Sequence, residues 1–292
     1  MGRHYTLDTS ASSLPICTTC GTQYESSTGR SLPPTQPPPP PANCRVCDDP
    51  RQWVPEAGQS WTSAGELRAR NVLWDLVAYL DEETVEQIES LGGLEFIVIS
   101  HPHFYTKLIA SGRTWADWSS TFKVPVYTAA ADQEWLNRID DPSAHNILLR
   151  EPVNPLPIPG LTALICGGHF PGSLVLHSTV TELPTLFVAD TIFSVASSHN
   201  PSSHHVPRQT QTYAFLWSIP NYIPLPPNDI LRIWRRLKPL EFKATYGVVA
   251  KLSNLFERDG DPVSLKQRLL DSVKLAVKAM GYEQHEALEE SL

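Results

Sequence analysis

One strand and the short motif after it decide the fold: Leu94-Glu-Phe-Ile-Val-Ile-Ser100, followed directly by His101-Pro-His103. The run is short, apolar and rich in β-branched residues, which indicates a buried strand. Side chains two residues apart in an extended segment point the same way, so both imidazoles can reach one metal ion. Since α/β proteins bind ligands at the ends of strands, this stretch predicts a strand that carries a metal site.

Two later strands end in further metal-binding residue types. In Cys166-Gly-Gly-His169-Phe-Pro-Gly172 an apolar run closes on a histidine, and the glycines around it allow a sharp turn. Leu186-Phe-Val-Ala-Asp190 is an apolar strand that ends in a carboxylate. Three strand ends with such side chains predict one metal site, made by His101, His103, His169 and Asp190.

The composition sets limits on what the chain does. Its 292 residues carry a net charge of −8. Predicted strands, among them 174–177 and 185–188, alternate with predicted helices at 104–118, 131–139 and 227–237, which favours an α/β fold. The acidic tail after Gly281 is expected to fray. The acidic balance argues against binding to nucleic acid or to an anionic membrane, because no basic stripe is available. The sequence shows neither a transmembrane run nor the apolar core of a secretory signal, so we expect a cytoplasmic protein with no membrane partner.

Two CxxC pairs lie near the N-terminus, Cys17-Thr-Thr-Cys20 and Cys44-Arg-Val-Cys47, with 23 residues between them. Each pair offers two thiolates to one ion, which is the spacing of a tetrahedral zinc site. We therefore expect Cys17, Cys20, Cys44 and Cys47 to bind one structural zinc. The alternative is two disulfides, which need an oxidising compartment. Cys166, the fifth cysteine, is predicted to be a buried and inert thiol.

At this point the sequence resembles the metallo-β-lactamase fold. The matching elements follow in the order of that superfamily: a strand before Asp75, the HxH motif, the turn Gly168–Ser173 and the strand closing on Asp190. The resemblance implies an αββα sandwich of two mixed β-sheets with helices outside and the site at one edge. It implies two domains, a zinc-ribbon-like module with a proline-rich linker at 1–62 and a metallo-β-lactamase-like domain at 63–292. Asp75 is then expected to hydrogen-bond a ligand imidazole.

The chain departs from the pattern of the superfamily at three positions. Tyr105 and Thr106 stand where HxHxDH has its Asp and second-metal His, and Tyr246 lies where a terminal His is expected. In two-metal members all three positions serve the second ion. The resemblance therefore implies one complete site and one missing site, so that a single ion is held by the four residues named above.

These features predict a mononuclear zinc-dependent hydrolase acting on a small ester, lactone, thioester or amide. Zinc lowers the pKa of its bound water and polarises a carbonyl, and Tyr105 or Tyr246 can donate a hydrogen bond to an oxyanion. We expect the substrate to approach over His103, Tyr105 and the loop 193–222, with Trp217 in an apolar wall. Two alternatives remain open: an Fe(II) oxygenase of the same fold, and a non-catalytic zinc-bound scaffold or interaction protein.

Overall fold

The computed structural model describes residues 14–17, 41–44, 47, 61–63, 71–76, 80–104, 114–199, 211–248 and 254–292. The chain divides into two units, residues 1–70 and residues 71–292. The boundary predicted between residues 62 and 63 stays a prediction.

The first unit contains two short antiparallel strands, β1 (Pro15–Cys17) and β2 (Trp61–Ser63), with Cys17 opposite Trp61. Cys17, Cys44 and Cys47 are buried together, and Trp61 packs against them. In the part of this unit that the structure describes, the thiols and this indole form the buried cluster.

A four-stranded sheet lies in the second unit in the order β3-β4-β5-β6, and all of its strands are parallel. Its strands are β3 (Val72–Trp74), β4 (Phe96–Val98), β5 (Val126–Ala129) and β6 (Asn146–Leu149). Parallel neighbours need crossovers, and two of these carry the helices α1 (Glu82–Ser90) and α2 (Trp115–Phe122). β4 is buried on both faces, as its continuous apolar run predicts.

A six-stranded sheet faces it, in the order β16-β15-β10-β9-β8-β7. Its strands are β7 (Val153–Pro155), β8 (Leu161–Ile165), β9 (Leu174–Ser178), β10 (Thr185–Ala189), β15 (Ala244–Gly247) and β16 (Leu255–Phe256). Only the β10–β15 pair is parallel. β8 and β10 therefore run in the same direction on either side of β9, and their C-terminal ends meet at one edge.

Three buried clusters order the layers. One cluster fills the space between the two sheets and contains Phe96 and Val98 of β4 with Ala163 of β8 and Leu176 of β9. A second joins the outer face of β4 to α1 and α2, and a third packs the outer face of β8, β9 and β10 on two further helices, α3 (Pro227–Leu237) and α4 (Leu265–Ala279). Successive strand residues point to opposite faces, so each strand serves two clusters. The predicted αββα sandwich is confirmed.

Two short antiparallel ribbons follow β10. The first pairs β11 (Phe193–Ser194) with β12 (Tyr213–Ala214), and the second is a hairpin of β13 (Leu216–Ser218) and β14 (Ile223–Pro224). None of the helices in the described part of the chain combines the length and apolar composition that crossing a lipid bilayer requires.

Two predicted helices have different bounds in the structure. The helix expected over 104–118 is replaced by a 3-10 turn at Pro102–Phe104 and by α2, which begins at Trp115 behind a capping box of Thr114 and Asp117. Residues 105–113 lie outside the described part. The helix expected over 131–139 is a 3-10 segment, Ala130–Trp135, because its apolar residues are too few to form a buried helical face.

The C-terminal tail was expected to fray, and this expectation is wrong. A 3-10 turn at Glu286–Glu289 packs on α3, with Ala287 fully buried. Glu290 accepts hydrogen bonds from Arg235 Nε at 2.7 Å and from Trp234 Nε1 at 3.1 Å. Opposite charge on α3, far away in the sequence, orders an acidic tail that repels itself in isolation.

Candidate metal centre

Four donor atoms converge where β4, β8 and β10 end. They are Nε2 of His101, Nδ1 of His103, Nε2 of His169 and Oδ2 of Asp190. All four residues offer a ligand atom within 4.8 Å of the others. His103 Nδ1 lies 3.2 Å from His101 Nε2 and 3.4 Å from His169 Nε2, and Asp190 Oδ2 lies 3.3 Å from His101 Nε2. The structure thus brings together every histidine and carboxylate of the predicted site.

His101 is held by a chain of hydrogen bonds that reaches back to β3. Its Nδ1 lies 2.8 Å from Ser100 Oγ, and the Ser100 hydroxyl also bonds the carboxylate of Asp75. A carboxylate accepts, so the hydroxyl donates to Asp75 and accepts from the imidazole N–H. Nε2 of His101 is then free of its proton and faces the other donors. Sequence reasoning missed Ser100, since a serine at a strand end has no distinctive pattern.

The sequence predicted a hydrogen bond between Asp75 and a ligand imidazole, but the structure shows Asp75 bonded to Ser100 instead. Its Oδ1 accepts the backbone N–H of Ser100 at 2.7 Å, so it acts on His101 through its neighbour. The difference has a geometric cause. β3 and β4 are parallel, and the N–H of Asp75 donates to the carbonyl of Val98, which sets its side chain beside Ser100, the residue before His101. Burial raises the pKa of Asp75 to about 6, although the hydrogen bonds from Ser100 oppose that shift.

The turn that carries His169 depends on two close approaches. Gly168 has a φ of +96°, and a Cβ there would lie 2.9 Å from Leu225. A Cβ on Gly172 would lie 2.5 Å from that of Ala129, while the Gly172 N–H donates to Asp132 Oδ1 at 3.0 Å. Only glycine fits either position, so the pattern around His169 reflects packing as well as turn formation. Asp132, buried beneath the turn, was not predicted.

His169 has a defined tautomer. Its Nδ1 lies 2.9 Å from the carbonyl oxygen of Trp217, and a carbonyl only accepts. Nδ1 therefore carries the proton, and Nε2 presents its lone pair to the other donors. The hairpin β13–β14 thus contributes a backbone atom to the site, which no side-chain pattern in the sequence could reveal.

Asp190 is aimed by an irregular strand end. The pairing of β10 with β15 shifts between Phe187 and Ala189, and Ala189 adopts a φ of +44°. A non-glycine residue with positive φ is uncommon and is held there by its surroundings. Such bulges redirect a side chain, and here the redirected group is the carboxylate that reaches His101.

Electrostatics favour the protonation states that bind a metal. Burial, followed by the neighbouring imidazoles, lowers the pKa of His103 and of His169. Burial alone would raise the pKa of Asp190, but His101, whose Nε2 lies 3.3 Å away, and the other two imidazoles lower it. At neutral pH both histidines are neutral and the aspartate is ionised, as metal ligands must be. Three imidazoles and one carboxylate fit a divalent transition-metal ion.

Of the two predicted tyrosines, Tyr246 lies in the part of the chain that the structure describes. Tyr105 lies outside the described residues, as does Thr106. Tyr246 stacks on Phe187 with ring centroids 5.3 Å apart and meets Phe256 edge to face. The roles of both phenols toward an oxyanion, and the presence of one ion and not two, stay predictions.

A second donor cluster lies in the first unit. Cys17, Cys44 and Cys47 offer sulfur atoms within 4.8 Å of one another, and Cys17 Sγ lies 3.7 Å from Cys47 Sγ. No disulfide joins these three, so that alternative is not realised among the described cysteines. Cys20, the fourth predicted ligand, lies outside the described residues. Cys166 is buried, and burial raises the pKa of its thiol to about 12, as expected of an inert cysteine.

Comparison with known proteins supports a family assignment. No family model matches the chain. The uncharacterized protein YmaE of Bacillus subtilis (strain 168) is 31% identical, and the match covers 81% of this chain and 89% of YmaE. The chain therefore belongs to the same family as YmaE.

Solved structures with a similar fold include several hydrolases. The DIM-1 metallo-β-lactamase is 16% identical over 72% of this chain and 81% of its own, with a TM-score of 0.45. A B3 metallo-β-lactamase with an active-site glutamic acid is 17% identical over 74% and 82%, with a TM-score of 0.39. An N-acyl homoserine lactone hydrolase is 19% identical over 55% and 58%, with a TM-score of 0.34. All three are similar to this chain in fold alone.

Proposed function

We propose that this member of the YmaE family is a mononuclear zinc-dependent hydrolase that attacks a small ester, lactone, thioester or amide. One observation carries the proposal: three imidazole nitrogens and a carboxylate oxygen converge at a partly open edge of the sandwich, where His101 is buried and His103 is exposed. Catalytic metal sites need such access, because a water molecule and a substrate must both reach the ion.

His101, His103, His169 and Asp190 would hold the ion. When bound, it would supply a water molecule of lowered pKa and a Lewis acid for the substrate carbonyl. The chain itself supplies orientation. Ser100 and the Trp217 carbonyl hold the protons of His101 and His169 away from the donor cluster, which keeps both Nε2 atoms available.

Phe170 keeps water away from one side of the site. Its ring lies 5.6 Å from that of His101, 5.0 Å from that of His103 and 5.1 Å from that of His169, centroid to centroid. An apolar ring in contact with all three imidazoles lowers the local dielectric, which strengthens every charge interaction in the site. Tyr105 and Tyr246 are the proposed donors to the oxyanion that forms when the carbonyl is attacked.

The cysteine cluster is proposed as a structural zinc site of Cys17, Cys20, Cys44 and Cys47. With one ion at each cluster, the protein would hold two zinc ions per chain. We further propose a cytoplasmic location and a small-molecule substrate, for which the acidic composition and the donor geometry are the support.

Metal analysis combined with turnover tests the proposal. Purified protein should contain two zinc ions per chain, and mild chelation should remove one together with hydrolysis of a small panel of esters and lactones. Replacing His169 with alanine should remove that same ion, whereas H145A, at an exposed histidine outside the cluster, should retain it. Iron in place of zinc at this site would favour the oxygenase, and a fully loaded site without turnover would favour the scaffold.

A further inference from the structure

We infer that the substrate is a neutral acyl compound whose apolar chain lies on aromatic side chains at the rim of the His/Asp cluster. The inference rests on the proposed hydrolase function and adds the class of substrate. Two groups of apolar residues carry it: one contacts the histidines through an aromatic ring, and the other is joined to His169 through a backbone hydrogen bond.

The first group is Phe170 with Trp135. Phe170 contacts the three imidazoles as described, and its ring meets that of Trp135 edge to face at 5.7 Å. Trp135 ends the 3-10 segment after β5, and 47% of its surface is exposed. An aromatic surface therefore leads from the donor atoms outward to solvent.

The second group is the hairpin β13–β14. Its residue Trp217 is anchored to the site, because its carbonyl accepts the N–H of His169. The side chains of Trp217, Tyr222 and Ile223 are 57%, 83% and 43% exposed. The hairpin that binds His169 thus exposes three large apolar side chains to solvent.

The charged residues near the site favour a neutral acyl chain over an anionic one. Within the described part of the chain, Asp190 pairs with histidines and with no lysine or arginine. Arg232 bonds the Cys166 carbonyl near the His169 turn, but its charge is paired with Asp229 at 2.8 Å. An anionic chain would thus lose its hydration without gaining a described cation.

The reaction that fits this surface is the hydrolysis of an ester or lactone. The acyl carbon–oxygen bond breaks, the oxygen of water joins the acyl carbon, and one proton of that water ends on the leaving alkoxide. The products are a carboxylate, a released proton and an alcohol. The alkyl part of the acyl group would rest on Trp217 and Trp135, where each CH₂ removed from water favours binding.

Matched esters test the inference on the zinc-loaded protein. The p-nitrophenyl esters of acetic, hexanoic and octanoic acid vary the chain length, and the p-nitrophenyl monoester of hexanedioic acid adds a charge at unchanged length. We expect kcat/KM to rise about tenfold or more from acetate to octanoate and to fall at least tenfold from hexanoate to the charged ester. W217A and W135A should lower octanoate turnover much more than acetate turnover and so lose most of the chain-length gain, whereas Y282A, at an exposed aromatic on the tail, should behave like wild type.

Binding without turnover provides a second readout. Saturation-transfer NMR should detect 2-octanone on the wild-type protein, detect it less on W217A, and detect 7-oxooctanoate weakly or not at all. Equal turnover of charged and neutral esters, or a chain-length gain untouched by both tryptophan variants, would overturn the inference. So would a W217A variant that changes the oligomeric state but not the substrate profile, since the hairpin would then bind another chain. A loaded protein that hydrolyses none of the esters overturns the proposed function itself, whereas turnover of acetate alone overturns only the apolar surface.

Discussion

The two donor clusters of this protein are both compact and differ in almost everything else. The sulfurs of Cys17, Cys44 and Cys47 and the donors of the His/Asp cluster each lie within 4.8 Å of one another. The three cysteines are buried, with at most 4% of their surface exposed, whereas His103 of the other cluster is exposed. A closed thiolate site suits a structural ion, and an open site of imidazoles suits chemistry.

The supports of the two clusters differ as well. The described thiols come from a stretch of 31 residues and are packed against a single indole. The His/Asp cluster is aimed by hydrogen bonds from Asp75 through Ser100 and from the backbone of Trp217, and by a bulge before Asp190. Precise aiming is what catalysis requires, whereas a structural ion orders its own ligands as it binds.

The largest effect should come from breaking the thiol cluster. In C17S, one ion per chain should be lost and residues 1–60 should become sensitive to protease, because structural zinc contributes about 10–16 kcal/mol to such small modules. Ester turnover and the second ion should remain. Limited proteolysis with metal analysis measures both. Loss of the His/Asp ion in the same variant would show that the clusters are not independent.

A smaller effect should come from removing the hydrogen bond that orients the imidazole of His101. S100A removes the hydroxyl that accepts its Nδ1 proton, and metal affinity should fall about 10–100-fold, as for other groups that orient a metal ligand. D75N keeps an acceptor for the Ser100 N–H and should lose less. Competition with a chromogenic chelator measures the affinity, and S120A is the matched serine control. An unchanged affinity in S100A would contradict the role given to the relay.

Asp132 should make stability depend on pH. Burial raises its pKa to about 6, so the native state binds a proton that the unfolded state has released between about pH 4 and 6. The free energy of unfolding should therefore lose this contribution as pH rises through that window. D132N, which can still accept from Gly172, should flatten the curve and gain stability at pH 7 relative to wild type. Urea unfolding at several pH values measures the free energy of unfolding, with the exposed D140N as control. If this free energy falls with pH in D132N as steeply as in wild type, the assignment to Asp132 is wrong.

The smallest effect should come from the tail. The hydrogen bond from Arg235, then those from Lys238 and Trp234, lower the pKa of Glu290 although slight burial opposes them. The ionised Glu290 therefore adds to the free energy of unfolding above its unfolded-state pKa of about 4.5, and this contribution is lost as pH falls through the lower pKa of the folded state. E290Q should reduce the melting temperature at pH 7 by a few degrees at most, and less at pH 3, since exposed ion pairs contribute little. The exposed E289Q is the control, and an equal loss in both variants would show that the pairing is incidental.

Much of the fold followed from local patterns. Apolar runs predict the strands around Phe96, Leu174 and Leu186, although the first is shorter than predicted. A proline at the first helical turn marks the start of the helix Pro227–Leu237. Residues 104–118 and 131–139 were less predictable, because short amphipathic stretches are compatible with a helix, a 3-10 turn or a loop. The tail was mistaken because its partner, Arg235, is encoded 51 to 55 residues earlier.

By itself the sequence determined which side chains form the site. His101, His103, His169 and Asp190 each follow a buried strand, and the ends of such strands meet at one edge once the sheets pack. The tertiary structure alone decided how those side chains are aimed. The Ser100–Asp75 contact spans 25 residues, Gly172–Asp132 spans 40 and His169–Trp217 spans 48. A hydrogen bond between such distant residues depends on where the packed layers place two backbones, and neither residue's neighbours carry a pattern that records it.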